Sequence, residues 1–269
     1  MKVIVNDILL NHIESGHPHG LPIIFIHGFP FNHTMWEPQM ESLPPFLRII
    51  VYDLRGFGKS DLGNGNNSIE QHADDLIGLM DDLKIDQAVI CGLSMGGYIA
   101  LKAVEKYKDR IKGLVLCDTR SEMDTEEARK KRYETIKKIE SEGLPGYPQE
   151  FLKNVLSKNT LENNGKLVKE LEHKILENPS KGIISAQDAM ARRSETTSIL
   201  KKIKVPTLIL VGEHDTVTPL SVAENLKDKI PNASLEIIPN AGHLTNLENP
   251  KVFNEKLVGF LKRFEPSLG

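Results

Sequence analysis

The chain has 269 residues, 39% of them hydrophobic and 26% charged, with a formal net charge of −3. That length suits one large α/β domain, or one domain carrying an insertion, and the composition is that of an ordinary globular protein. The near-balanced charge gives nucleic acid or an anionic membrane no footing as a partner.

The opening stretch MKVIVNDILLNHIES alternates as strands do, at Val3–Val5 and Leu9–Ile13, with neither the long apolar core nor the small-residue cleavage site of a signal peptide. No apolar run is long enough to span a bilayer, and a reducing, cytoplasmic setting is the expectation. LPIIFIHG and LRIIVYDLRG follow as continuous apolar runs, the pattern of strands buried on both faces of a parallel sheet. GNGNN, from Gly63 to Asn67, is a loop. SIEQHADDLIGLMDDL opens with a capping box of Ser68 and Gln71 and places Ile69, Ala73, Leu76, Ile77, Met80 and Leu83 on one helical face. QAVICGLSMGGYIALKAVEKY begins as a buried strand and ends as an amphipathic helix, with Gly92, Ser94, Gly96 and Gly97 at the junction. IKGLVLCDT is a further buried strand. Cys91 and Cys117 both lie in apolar runs, where a cysteine serves as a small buried hydrophobe.

From Ser121 to Lys202 the strand–helix rhythm stops. DTEEARKKRYETIKKIE and GKLVKELEHKILEN are charged and helical in spacing, and no strand-like run interrupts them. So long an excursion within a compact domain points to a helical lid over residues 121–202, set into a core of 1–120 and 203–269. VPTLILVGEHD and ASLEIIPNAGH then resume the strands, with helices at PLSVAENLKDKI and NPKVFNEKLVGFLKRF. The alternation predicts an α/β fold, a mostly parallel sheet with helices on both faces.

Ser94 sits where a strand turns directly into a helix, with glycines two before and two after. Such a turn holds a side chain above the sheet edge in a strained backbone, and the helix N-terminus favours an anion beside it. A serine hydroxyl needs a base, and the base needs an orienting acid. Of nine histidines, His12, His17, His19, His33, His72 and His173 lie in polar or helical contexts and most of them are expected in solvent, while His214, in a strand-end loop, could be either. His243 follows a strand on a glycine-bearing loop, where α/β sheets place their sites. Asp215, beyond VPTLILVG, is the preferred acid, giving the order Ser94, Asp215, His243. Asp118, which ends IKGLVLCDT, is its rival, and Asp53 is a loop brace. Oxyanion donors are expected from the amides of Met95 and Phe29, each worth on the order of 3 kcal/mol in hydrolases. His27 is expected to be a structural hydrogen-bonding residue, and Phe29, Trp36, Leu93, Met123, Val217 and Leu244 are candidate pocket-wall residues.

HGFP, DLRGFGKS, GLSMGG and GEHD…AGH together resemble the α/β-hydrolase fold superfamily along essentially the whole chain. The resemblance implies an eight-stranded sheet with a helical cap after the sixth strand, and the roles of nucleophile, acid and base for Ser94, Asp215 and His243. Serine in place of the aspartate of haloalkane dehalogenases and epoxide hydrolases argues against those groups, and the HGGG and HGGPG motifs of other branches are absent. HGFPFNHTMW…DLRGFGKS…GLSMGG most resembles the group of 3-oxoadipate enol-lactonases, small carboxylesterases and cofactor-free perhydrolases. The inserted segment displays no evident cluster of basic and aromatic residues for a dicarboxylate.

The expected activity is hydrolysis of a small-molecule ester or lactone, with no cofactor and no metal, and with a homodimer left open. Perhydrolysis, halogenation and carbon–carbon bond hydrolysis use the same three residues. A ligand receptor on this scaffold is the alternative of another class.

Overall fold

A computed structural model describes residues 1–64 and 67–264, so GNGNN lies partly outside the described residues. Eight strands form one sheet: β1 (Lys2–Val5), β2 (Ile8–Gly16), β3 (Leu21–Ile26), β4 (Leu47–Tyr52), β5 (Ala88–Leu93), β6 (Ile111–Cys117), β7 (Thr207–Gly212) and β8 (Ala233–Ile238). Their spatial order is β1-β2-β4-β3-β5-β6-β7-β8, with β2 antiparallel to both β1 and β4 and every other pairing parallel.

The burial of each strand explains its sequence. β5 and β7 are buried at every position, because helices cover both faces, so they read as unbroken apolar runs. At the edge, β2 starts by alternating, with Ile8 and Leu10 buried and Leu9 exposed. Asn6 and Asp7 both take positive φ in the two-residue turn that joins β1 to β2, the conformation that matches the twist of a tight hairpin.

Eleven α-helices lie among the described residues. In the first half these are α1 (Glu37–Ser42), α2 (Ile69–Asp82) and α3 (Met95–Tyr107). Ser68 caps α2 by accepting from the Gln71 amide, while the Gln71 side chain turns to Asp75, so only half of the capping box forms. Between β6 and β7 come α4 (Glu126–Glu142), α5 (Tyr147–Val155), α6 (Lys158–Asn163), α7 (Gly165–Leu176) and α8 (Ser180–Arg192). α9 (Leu220–Lys229), α10 (Thr245–Glu248) and α11 (Pro250–Leu261) complete the chain. The two ends of the inserted stretch are fastened together: the Thr196 amide donates to the Ser121 carbonyl at 2.8 Å, and Arg193 Nη1 donates to Asp124 Oδ1 at 2.6 Å. No helix among the described residues is long and apolar enough to cross a membrane.

The histidines differ from expectation. His12 and His72 are buried, and His33 packs against the buried Asp53. His72 shares a helical face with Ile69 and Leu76, so its position in the repeat places it inward whatever its polarity.

Candidate active site

The sheet's central strand delivers the serine. β5 ends at Leu93 and α3 begins at Met95, leaving Ser94 as the single hinge residue, with φ 53° and ψ −112°. A non-glycine residue pays conformational strain there, and the flanking glycines are what make the bend possible. A Cβ on Gly92 would stand 2.2 Å from the Gly96 carbonyl oxygen, and one on Gly96 would stand 2.3 Å from the Ile26 carbonyl oxygen. The Ser94 carbonyl is held by the Thr119 hydroxyl at 2.8 Å, which ties the bend to the end of β6.

His243 arrives on the loop after β8 and Asp215 on the loop after β7. Ser94 Oγ lies 2.8 Å from His243 Nε2, and His243 Nδ1 lies 2.8 Å from Asp215 Oδ2. With Nδ1–H donating to the carboxylate, Nε2 is left as the acceptor for the serine hydroxyl. The same carboxylate accepts from the Thr218 hydroxyl at 2.6 Å and from the amides of Val217 and Thr218 at 2.8 and 2.9 Å. Burial opposes its ionisation, but the charge of His243 and the hydrogen bonds from His243 and Thr218 prevail and hold the carboxyl at about 2. Asp215 is thus an anion that lies almost wholly out of water and is fully hydrogen-bonded.

Asp118, the rival acid, does not bond His243. Its oxygens accept from the Gly212 amide and the Thr245 hydroxyl, and burial together with the negative charge of Asp215 pushes its carboxyl well above the usual range. Asp118, Asp215 and His243 bring oxygen and nitrogen atoms within 4.8 Å of one another, a spacing that could accept a metal ion. Each of these residues already has hydrogen-bond partners: His243 Nδ1 donates to Asp215, while Asp118 accepts from Gly212 and Thr245.

The loop after β3 supplies the facing wall. His27 is fully buried: Nε2 accepts the Leu54 amide at 3.0 Å and Nδ1 donates to the Gly28 carbonyl at 3.1 Å. Burial lowers its pKa to about 4, so it braces the loop as a neutral ring. Asp53 accepts from the Asn11 side chain and the amides of His33 and Lys59, joining the loops after β3 and β4. Gly28 approaches closely enough that a Cβ on it would stand 3.7 Å from the Ser94 Cβ. Neither the Phe29 nor the Met95 amide donates to another group among the described residues.

A cleft of about 320 Å³ opens between this loop and the inserted helices, lined by Phe29 from the core, Arg132 and Lys138 from α4, Tyr147 and Phe151 from α5, and Gln187 from α8. Phe29 meets Phe151 edge-on at 6.0 Å, and Arg132 Nη1 donates to Gln187 Oε1 at 2.8 Å. Basic and aromatic side chains therefore do gather in the insertion, contrary to the sequence reading. They come from two helices, α4 and α5, with Gln187 of α8 beside them, and only packing unites them.

Of the six residues expected to form the pocket wall, Phe29 alone lines this cleft. Trp36 is a correction: it is 0% exposed and packs in the core against Phe25 and Phe253, with ring centroids 4.8 and 6.2 Å away. Met123 is another: it is 52% exposed on the loop after β6. Leu93 and Leu244 are buried beside Ser94 and His243, and Val217 is partly exposed, its carbonyl accepting from Arg120.

The family described as alpha/beta hydrolase fold matches residues 22–250. The chain is 28% identical to 3-oxoadipate enol-lactonase 2 of Acinetobacter baylyi over 96% of this chain and 95% of that protein. It is similar to the solved structure of a thermophilic esterase from Thermogutta terrifontis with malate bound, at 35% identity and TM-score 0.94, covering 99% of each chain. It is also similar to the enol-lactonase from Burkholderia xenovorans LB400, at 28% identity and TM-score 0.91, covering 97% of this chain and 100% of that one.

Proposed function

The chain belongs to the α/β-hydrolase fold family, and on that footing we propose that it is a carboxylic ester hydrolase, cleaving a small ester or lactone through an acyl-enzyme on Ser94. The observation that carries this reading is the unbroken hydrogen-bond chain from Ser94 Oγ through His243 to Asp215, two contacts of 2.8 Å each. As Oγ attacks the substrate carbonyl, its proton passes to Nε2 of His243, and Asp215 stabilises the imidazolium without taking up a proton itself. The amides of Phe29 and Met95 receive the negative charge on the tetrahedral oxygen. His243 then protonates the departing alkoxide, and a water molecule activated by the same nitrogen releases the acid and restores Ser94.

Residues 121–202 act as the lid in this proposal, and the cleft holds part of the substrate between Phe29 and Phe151, with Arg132, Tyr147 and Gln187 offering polar contacts. Enol-lactonases and an esterase among the relatives support ester or lactone chemistry over a receptor role. Hydrolysis of p-nitrophenyl butyrate by wild type and Ser94→Ala tests the reading. The substitution should cut kcat on the order of 10⁴-fold or more, by the scale of such replacements in serine hydrolases. Equal rates would remove Ser94 from the chemistry.

A further inference from the structure

One side chain makes four of the bonds that fasten the loop carrying His243. Glu248 ends α10, five residues beyond the histidine. Its Oε1 accepts from the Gly242 amide at 2.9 Å and from the Leu244 amide at 3.3 Å, the two amides that flank His243. Its Oε2 accepts from the Ser157 amide at 2.8 Å and from the Thr160 hydroxyl at 2.7 Å, both at the junction of α5 and α6 in the insertion. Two further bonds join the same segments: the His243 amide donates to the Val155 carbonyl at 2.7 Å, and the Ser157 hydroxyl donates to the Asn240 carbonyl at 3.2 Å. The backbones touch as well, since a Cβ on Gly242 would stand 2.6 Å from the Ser157 nitrogen.

A carboxylate is the side chain suited to this junction. Its two oxygens offer about four acceptor sites, and four donors converge on them, two from each segment. An amide or hydroxyl side chain would leave donors unmatched, and bonds to an ionised acceptor are the stronger kind.

We propose that Glu248 is a positioning residue: it ties the His243 loop to residues 155–160, so that docking of the insertion and placement of the His243 ring against Ser94 are one event. The idea rests on the proposed function, in which His243 is the base for Ser94; the Ser94→Ala comparison examines that nucleophile separately. The ring reaches Ser94 only from a loop held on both sides, and half of what holds it belongs to the insertion. The lid then does more than cover the cleft, because its seating sets the geometry of proton transfer.

Glu248→Gln, Glu248→Ala and Thr160→Val are compared with wild type on p-nitrophenyl butyrate, each rate divided by the concentration of active sites counted with a covalent fluorophosphonate probe. Misplacing a reacting group costs rate at the chemical step, so Glu248→Ala should lower kcat per labelled site about tenfold or more with KM within about twofold. Glu248→Gln keeps one acceptor oxygen and should recover part of that loss. Thr160→Val leaves Glu248 in place and removes only a bond from the insertion, so it should lower kcat per labelled site about threefold. The proposal is overturned if Thr160→Val and Glu248→Gln lose thermal stability while kcat per labelled site stays at the wild-type value. Should Glu248→Ala fail to fold, the other two variants decide. Undiminished hydrolysis by Ser94→Ala would instead overturn the assignment of the nucleophile that His243 serves and leave the junction itself untouched.

Discussion

Oδ2 of Asp215 meets Nδ1 of His243 at 2.8 Å, and Asp118, buried close beside Asp215, makes no hydrogen bond to that ring. Two carboxyls thus lie near one histidine with shifts in opposite directions, Asp118 pushed up by burial and by the charge of Asp215, and Asp215 held at about 2. Asp215→Asn should cost on the order of 10⁴-fold in kcat, the scale seen when the orienting acid of such a trio loses its charge. Asp118→Asn alters a carboxyl that bonds the Gly212 amide and the Thr245 hydroxyl, leaves the Asp215–His243 bond in place, and should keep most of the activity. Steady-state rates of the two variants distinguish them, and a larger loss in Asp118→Asn would reverse the roles.

Acid should weaken the fold in two stages. His27 and His72 are buried, and desolvation lowers both to about 4. Their folded values lie below the ordinary 6.5, so the unfolded chain takes up protons first. Their contribution is complete above about pH 6.5 and is lost as the pH falls toward about 4. Asp53 and Asp215 are held at about 2 against an ordinary 3.8, despite the opposing effect of burial, by His33 and His243 respectively. Their contribution is lost only in the window below 3.8. His72 has no hydrogen-bond partner at either ring nitrogen among the described residues. His72→Leu should therefore show a smaller drop in urea midpoint between about pH 7.5 and about pH 5 than wild type does. Identical drops would show that His72 takes no part.

Phe151 stands 6.0 Å from Phe29 of the core and 5.8 Å from Tyr147 on its own helix, all three lining the cleft. Removing its ring should open room for a longer acyl chain. Phe151→Ala is expected to raise the ratio of kcat/KM for p-nitrophenyl octanoate over butyrate about tenfold, since a methylene in an apolar pocket is worth about 1–3 kcal/mol. An unchanged ratio would place the acyl chain elsewhere.

How much of this was legible in the sequence follows from how local each signal is. Ser94 and its glycines could be read because one bend imposes all their constraints within a few residues. Asp215 and His243 each end a strand-to-loop step, and the alternation of strands and helices puts those steps along one sheet edge. Trp36 misled because an aromatic residue after a loop can face the core or a cleft with the same local sequence, and it was Phe25 and Phe253 that claimed it. Arg132, Tyr147 and Gln187 could not be grouped beforehand, since three helices of the insertion meet only in the fold. Glu248 reads as an ordinary acidic residue on a short helix. Its four donors come partly from 91 residues away in the chain, as Ser157 does. Thr218 was within reach, three residues after Asp215, where a hydroxyl can turn back onto the carboxylate.

The central claim is that Ser94 carries the acyl group during turnover. Rapid quenching of the reaction with p-nitrophenyl butyrate, followed by mass analysis of the intact chain and its peptides, tests this most directly. The account predicts a butyryl adduct on the peptide that holds Ser94, appearing with the first burst of nitrophenol and absent from Ser94→Ala. Steady turnover by wild type with an adduct at some other residue, or the same burst and adduct in Ser94→Ala, would contradict it.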